Sequence, residues 1–135
     1  KGQGAFVNGK RLKINPNTDL KKALLATGFF PDDKTALKEQ IQLFSNIVGD
    51  CRGIRRAGAA AYDLCQVARG VFDGFWEKNL SPWDVAAGQL LVEEAGGIAK
   101  SYNNEPHNPY SRSIVAGNAV MVDEILKRFS SLLKH

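Results

Sequence analysis

From residue 23 to residue 133 short apolar runs alternate with longer stretches of helical periodicity, and glycine, proline or paired acids mark each handover. That alternation restricts the fold more than any other feature of the chain. Residues 23–30 form a continuous apolar run containing Gly28 and closed by Pro31, the pattern of a buried strand. Asp32 and Asp33 open a helix in which Ala36, Leu37, Ile41, Leu43, Phe44, Ile47 and Val48 recur at helical spacing until Gly49 stops it. A short strand over 53–56 leads to a helix over 59–69, with Ala60, Leu64, Val67 and Ala68 on one side and Gly70 at its end. The stretch 71–77 reads as a strand ending in Glu77, and 78–80 as a turn. Residues 82–95 read as a third helix, with Ser81 as N-cap and Pro82 at the first helical position. Gly96-Gly97 then leads to a strand over 98–102, a loop over 103–111, a strand over 114–117 and an amphipathic helix over 120–133 carrying Val122, Ile125, Leu126, Phe129, Leu132 and Leu133. Strands alternating with helices predict an α/β fold, a mostly parallel or mixed β-sheet flanked by helices on both faces. Ahead of it, apolar residues around Asn8-Gly9 predict a hairpin over 5–14, and 15–19 is a polar linker.

At 135 residues the chain is long enough for one domain with its own core. It opens on Lys1 directly into the hairpin pattern, so the expectation is a cut chain: residues 1–15 belong to a preceding domain, and 16–135 form one α/β domain. No apolar run approaches the roughly 18 residues of a membrane span, and no leader pattern is visible, which makes a cytoplasmic protein the expectation. The net charge of +4 comes from scattered lysines and arginines, so nucleic acid is not expected as a partner. Loss of an acidic neighbouring segment would tilt the charge the same way. Cys51 and Cys65 have no Cys or His at a metal-binding spacing and are expected as reduced, buried thiols.

The chemistry-bearing residues cluster around the turn at 78–80. Glu77 at a strand end and Asp84 in the first turn of the next helix are expected to face one crevice, and paired carboxylate oxygens suit a hard cation such as magnesium. Each has a plain structural reading too. Ser81-x-x-Asp84 matches a capping box, and Glu77 could be a solvated strand end. At Gly58-Ala59-Ala60 a strand passes into a helix with small side chains, leaving backbone N–H groups open to a phosphate or hydroxyl, or simply allowing close packing. Of Arg55 and Arg56 at most one can serve the crevice, because neighbours on a strand point to opposite faces. Trp76 and Trp83 read as core or rim packing, and His107 and His135 as exposed residues without a chemical partner.

Gly58-Ala59-Ala60, Phe72-Asp73-Gly74-Phe75-Trp76-Glu77, Pro82-Trp83-Asp84-Val85-Ala86-Ala87-Gly88 and Glu93-Glu94-Ala95-Gly96-Gly97 together resemble the C-terminal half of inositol monophosphatases. The similarity spans essentially the whole chain, and Trp83 before the acid is more like the inositol branch than the fructose-bisphosphatase-like one. The resemblance implies the C-terminal half of a sugar-phosphatase αβαβα fold in a magnesium-dependent, lithium-sensitive, usually dimeric phosphatase. It also implies that Asp84 is a Mg2+ ligand, that Glu77 hydrogen-bonds an inositol hydroxyl, and that Gly58, Ala59 and Ala60 lie against the substrate through their backbone. Ala59 departs from the Ser or Thr common in relatives, which removes a hydroxyl contact. The family's Asp-Pro-x-Asp-Gly-Thr motif and upstream Glu, which hold most of the metal and place the attacking water, occur nowhere in this chain. The expectation is therefore an intact protein that hydrolyses inositol monophosphate, a missing N-terminal domain as partner, and 135 residues with no catalytic residue of their own and little or no activity alone. A fructose-bisphosphatase-like or nucleotide phosphatase, or a non-catalytic binding module of the same fold, stands as the alternative.

Overall fold

The computed structural model describes residues 1–133 and arranges them around a five-stranded mixed sheet. Strands β1 (Phe6–Val7) and β2 (Lys10–Arg11) form the expected antiparallel hairpin, with Asn8 and Gly9 at φ of 50° and 80°. Both turn residues take the left-handed conformation that a two-residue hairpin loop requires, which is why Asn-Gly is found there. The rest of the chain runs β3 (Leu24–Thr27), α1 (Lys34–Ile47), β4 (Gly53–Arg55), α2 (Ala60–Ala68), β5 (Gly74–Lys78), α3 (Pro82–Glu94), β6 (Ile98–Lys100), β7 (Ser113–Gly117) and α4 (Ala119–Leu133).

The strand order is β4-β3-β5-β7-β6. Strands β4, β3 and β5 are mutually parallel, and β7 runs antiparallel to both β5 and β6. Both faces are covered, so successive strand residues enter different cores. Ala26, Phe75, Ile114 and Ala116 pack with Leu64, Val67, Val85 and Val92 of α2 and α3. Their neighbours Leu25, Trp76 and Val115 pack on the opposite face with Leu43, Ile47, Met121, Ile125 and Phe129 of α1 and α4. This two-sided burial is why the strands read as unbroken apolar runs rather than as alternating patterns.

Several boundaries are tighter than the sequence pattern predicts. The apolar run 23–30 keeps only Leu24–Thr27 in the sheet, because its ladder partners on both sides end at Arg55 and Trp76. Strand β5 begins at Gly74, since the Asp73 side chain is turned to accept from the Leu24 N–H at 2.7 Å and from Asn17 Nδ2 at 3.2 Å. The polar linker is pinned as well: Asn118 Nδ2 donates to the carbonyls of Asn15 and Asn17 at 2.9 and 2.7 Å. The expected buried thiols are instead half-buried, because Cys51 sits in the turn after α1 and Cys65 on the flank of α2. Among the described residues no helix is long and apolar enough to cross a membrane. The His135 reading and the side chain of Leu133 lie outside the described residues.

Candidate active site at the strand ends

The three parallel strands deliver three short segments to one end of the sheet, as open α/β sheets do for their ligands. Gly28 follows β3, Arg56-Ala57-Gly58 follows β4, and Glu77 stands at the end of β5. The alternation along β5 decides which way each residue faces. Phe75 enters the α2/α3 side and Trp76 the α1/α4 side, so Glu77 turns towards α2 and α3. Lys78 turns the other way, where its Nζ meets Glu39 of α1 at 2.9 Å.

Glu77 is half-buried, and its carboxylate rests against the backbone of β3's end: a Cβ at Gly28 would collide with it. Burial first, and the charge of Asp63 second, push Glu77 up to about 7, with Arg56 pulling the other way and Asp84 adding a smaller push. Glu77 thus feels the charges of Asp63 and Asp84 and the opposing charge of Arg56. Asp63 lies in the first turn of α2 at 1% exposure, and burial raises it to about 6. Neither of its oxygens has a hydrogen-bond partner among the described residues.

Asp84 caps α3: the Ser81 N–H donates to its Oδ2 at 2.9 Å. The capping and cation-facing readings are compatible, because a carboxylate has two oxygens and the cap engages one. Across the crevice, α2 begins at Ala60 with Ala59 as N-cap and no capping side chain. Gly58 holds φ +97°, a left-handed conformation that lets the chain enter the helix, and 57–59 are all exposed. The first backbone N–H groups of α2 therefore stay open, with the positive end of the helix behind them. Of the two arginines, Arg56 is the one whose charge reaches Asp63 and Glu77, and its Nη2 donates to the Phe29 carbonyl at 3.2 Å.

The remaining sequence readings divide. Trp76 is fully buried in the core, but Trp83 is 83% exposed and packs neither core nor rim. His107 is not exposed as expected. It is 7% exposed, its Nδ1 stands 2.7 Å from Gln89 Oε1, and Gln89 Nε2 donates to its carbonyl at 2.8 Å. The two-point contact with α3 draws the loop inward, and no periodicity in a loop can announce that. Sequence reasoning missed Gly28 and Asp63. A glycine inside an apolar strand run signals close approach of another group. An acid three residues after Ala60 and four before Val67 lies on a packed helix face, which is the trace Asp63 leaves in the sequence.

Several residues shared with the resembled family prove to be packing residues. A Cβ on Gly88 would stand 2.6 Å from Leu64 Cβ, so this glycine sets the close approach of α2 and α3. A Cβ on Gly97 would run into Ile14 and Val92. The Gly4 N–H donates to Glu94 Oε1 at 2.9 Å, tying the hairpin to the end of α3.

Comparison with known proteins agrees with this fold. The model of the inositol monophosphatase family matches residues 1–134. The chain is 47% identical over 120 residues to the Nus factor SuhB of Pseudomonas aeruginosa, covering 87% of this chain and 44% of that protein. It is 40% identical over 128 residues to the fructose-1,6-bisphosphatase/inositol-1-monophosphatase of Aquifex aeolicus, covering 94% of this chain and 47% of that one. The solved inositol monophosphatase of Anabaena (Nostoc) superposes with a TM-score of 0.90 at 37% identity, over 96% of this chain and 52% of its own. The chain thus spans about half the length of such relatives. With the family match over residues 1–134 and the shared mixed-sheet fold in agreement, this chain belongs to the inositol monophosphatase family.

Proposed function

We propose that the protein to which this chain contributes is a magnesium-dependent, lithium-sensitive phosphomonoesterase of the cytoplasm that hydrolyses inositol monophosphate to inositol and phosphate. The observation that carries the reading is the convergence of Glu77, Asp84 and the uncapped start of α2 at the carboxyl ends of three parallel strands. Asp84 suits a hard cation, being an oxygen donor with only Oδ2 engaged by the backbone among the described residues. One carboxylate is not a metal site. Among the described residues no three or more His, Cys, Asp or Glu side chains are grouped to hold an ion, so the other ligands are assigned to a preceding domain, to which residues 1–15 also belong.

When bound, the metal would supply Lewis-acid polarisation of the phosphoryl group. The residues of this chain orient the rest of the substrate. The Gly58-Ala59-Ala60 backbone offers N–H donors at the positive end of α2, and the Glu77 carboxylate accepts from a ring hydroxyl. Ala59 has no hydroxyl to give, so recognition of the polyol falls on Glu77 and the backbone.

In the whole protein Asp84→Asn is expected to lower kcat/KM for inositol 1-phosphate at least 100-fold and to raise the magnesium concentration needed for half-maximal rate. The 135-residue chain alone is expected to release no phosphate above background, and a mixture with the matching N-terminal half to restore release. Turnover by the isolated chain, or an unaffected Asp84→Asn enzyme, overturns the reading. A homodimer is the expected assembly of the whole protein, checked by sedimentation at micromolar concentration.

A second reading draws on the name of the Pseudomonas relative, a Nus factor, together with the net charge of +4: association with the transcription machinery or its RNA. Salt-dependent RNA binding by the whole protein that survives Asp84→Asn would support it as a separate activity.

A further inference from the structure

We propose that a polar cavity on the α1/α4 face of the sheet, formed by the end of β5, the start of β7, α1 and the chain after β6, binds a phosphate group carried by inorganic phosphate or by a small phosphate ester. The cavity measures about 430 Å³. It does not depend on the role proposed for the crevice, because the strand residues that build it turn away from Glu77.

The register of β5 and β7 sets its floor. Lys78 is paired with Ser113, so both side chains leave the same face of the antiparallel pair, the face on which the preceding pair of that parity, Trp76 and Val115, enters the core with α1 and α4. Glu77 and its partner Ile114 belong to the other face. The Asn79 N–H donates to the Arg112 carbonyl at 2.7 Å, which carries the pairing one residue further and brings exposed Arg112 to the cavity wall. Beyond β6, the Ser101 N–H donates to the Glu105 carbonyl at 2.8 Å, and both residues line the remaining side.

What this wall offers is mostly hydrogen-bond donors. The Oγ atoms of Ser101, Ser111 and Ser113 accept from the backbone N–H groups of Asn103, Asn108 and Tyr102 at 3.3, 3.3 and 3.0 Å. None of the three hydroxyls donates to an acceptor among the described residues, so each keeps its proton to give. Ser101 is 7% exposed, where a donor left without an acceptor is costly. Lys78 Nζ gives one of its three donors to Glu39 Oε1 at 2.9 Å, and the Arg112 guanidinium has no hydrogen-bond or ion-pair partner among the described residues. Two cations and three hydroxyls on separate segments suit a tetrahedral dianion, which presents acceptor oxygens in several directions at once. The lining acids do not cancel this. Glu39 is already paired with Lys78, and Glu105 is exposed, so water screens its repulsion. Glu105 can also accept from a hydroxyl, which favours an ester bearing hydroxyl groups over free phosphate.

The test uses the whole protein in metal-free buffer with a chelator, titrated calorimetrically with inorganic phosphate and, separately, with inositol 1-phosphate. Saturable binding of either compound is expected, tighter for the ester, and the tighter of the two identifies the source of the phosphate group. Arg112→Met, which loses no partner within the described chain, is expected to melt with the wild type and to weaken binding about tenfold, and Lys78→Met to weaken it by a similar factor. Lys21→Met, an equal loss of charge at an exposed site outside the cavity, and Glu77→Gln in the crevice should each change the affinity by less than about twofold. No binding of either compound at about 10 mM overturns the proposal, as does equal weakening by Lys21→Met and Arg112→Met. Binding that is lost in Glu77→Gln and unchanged in Arg112→Met also overturns it, since the ligand then sits in the crevice. Turnover in magnesium decides the phosphatase reading separately.

Discussion

At the scale of the residue, the buried ionisable groups make opposite demands on pH. Native Glu77 holds its proton to about 7, whereas the unfolded carboxyl releases it near 4.5. Between those values the native state binds more protons than the unfolded one, so this group's contribution to stability falls as pH rises. Glu77→Gln is therefore expected to leave stability unchanged below pH 4.5 and to raise it above pH 7 in metal-free buffer, on the order of 2 kcal/mol by urea denaturation. His107 works the other way. Burial lowers it below its ordinary 6.5, so its contribution is complete above that value and is lost as pH falls through it. His107→Gln should destabilise the protein near pH 8 by about 1 kcal/mol through the lost contact with Gln89, and that deficit should shrink by pH 5.5. Glu77 and Asp84 were visible in the sequence because a strand end and a capped helix start have local signatures. Asp63 and His107 were not, since the partners that define them lie on other elements.

At the scale of the element, what matters most is how closely α2 can approach α3. Gly88→Ala puts a methyl group onto Leu64 and is expected to cost about 1–3 kcal/mol, read as a fall in melting temperature. Because both helix starts border the crevice, the same variant is expected to raise KM for inositol 1-phosphate more than it lowers kcat. Among the described residues the four α-helices, the seven strands and the kind of sheet were legible from periodicity and turn signals, since glycine, proline and N-capping residues end these elements locally, whereas the short 3-10 helix Leu20–Lys22 was not. The strand order was not. Placing β7 between β5 and β6 depends on pairing across the loop 103–111, which no local pattern encodes.

At the scale of the whole molecule, the described residues supply two cores flanking one sheet but no group of three or more His, Cys, Asp or Glu side chains that could hold an ion. Folding and catalysis are thereby separated. The 135-residue chain is expected to unfold cooperatively in urea while remaining inactive, and a non-cooperative transition would count against an independent domain. The opposed orientations of Glu77 and Lys78 carry a further consequence, one that concerns how such a protein can change over generations. Because each step along β5 exchanges the two faces of the sheet, deleting a single residue between Gly74 and Trp76 would present an ammonium to the crevice and sink a carboxylate against α1. Substitutions can drift gradually through this strand, but a lost or gained codon reverses the polarity of the site in one event, so length variation should be purged from β5 and gather instead in the loop that joins β6 to β7.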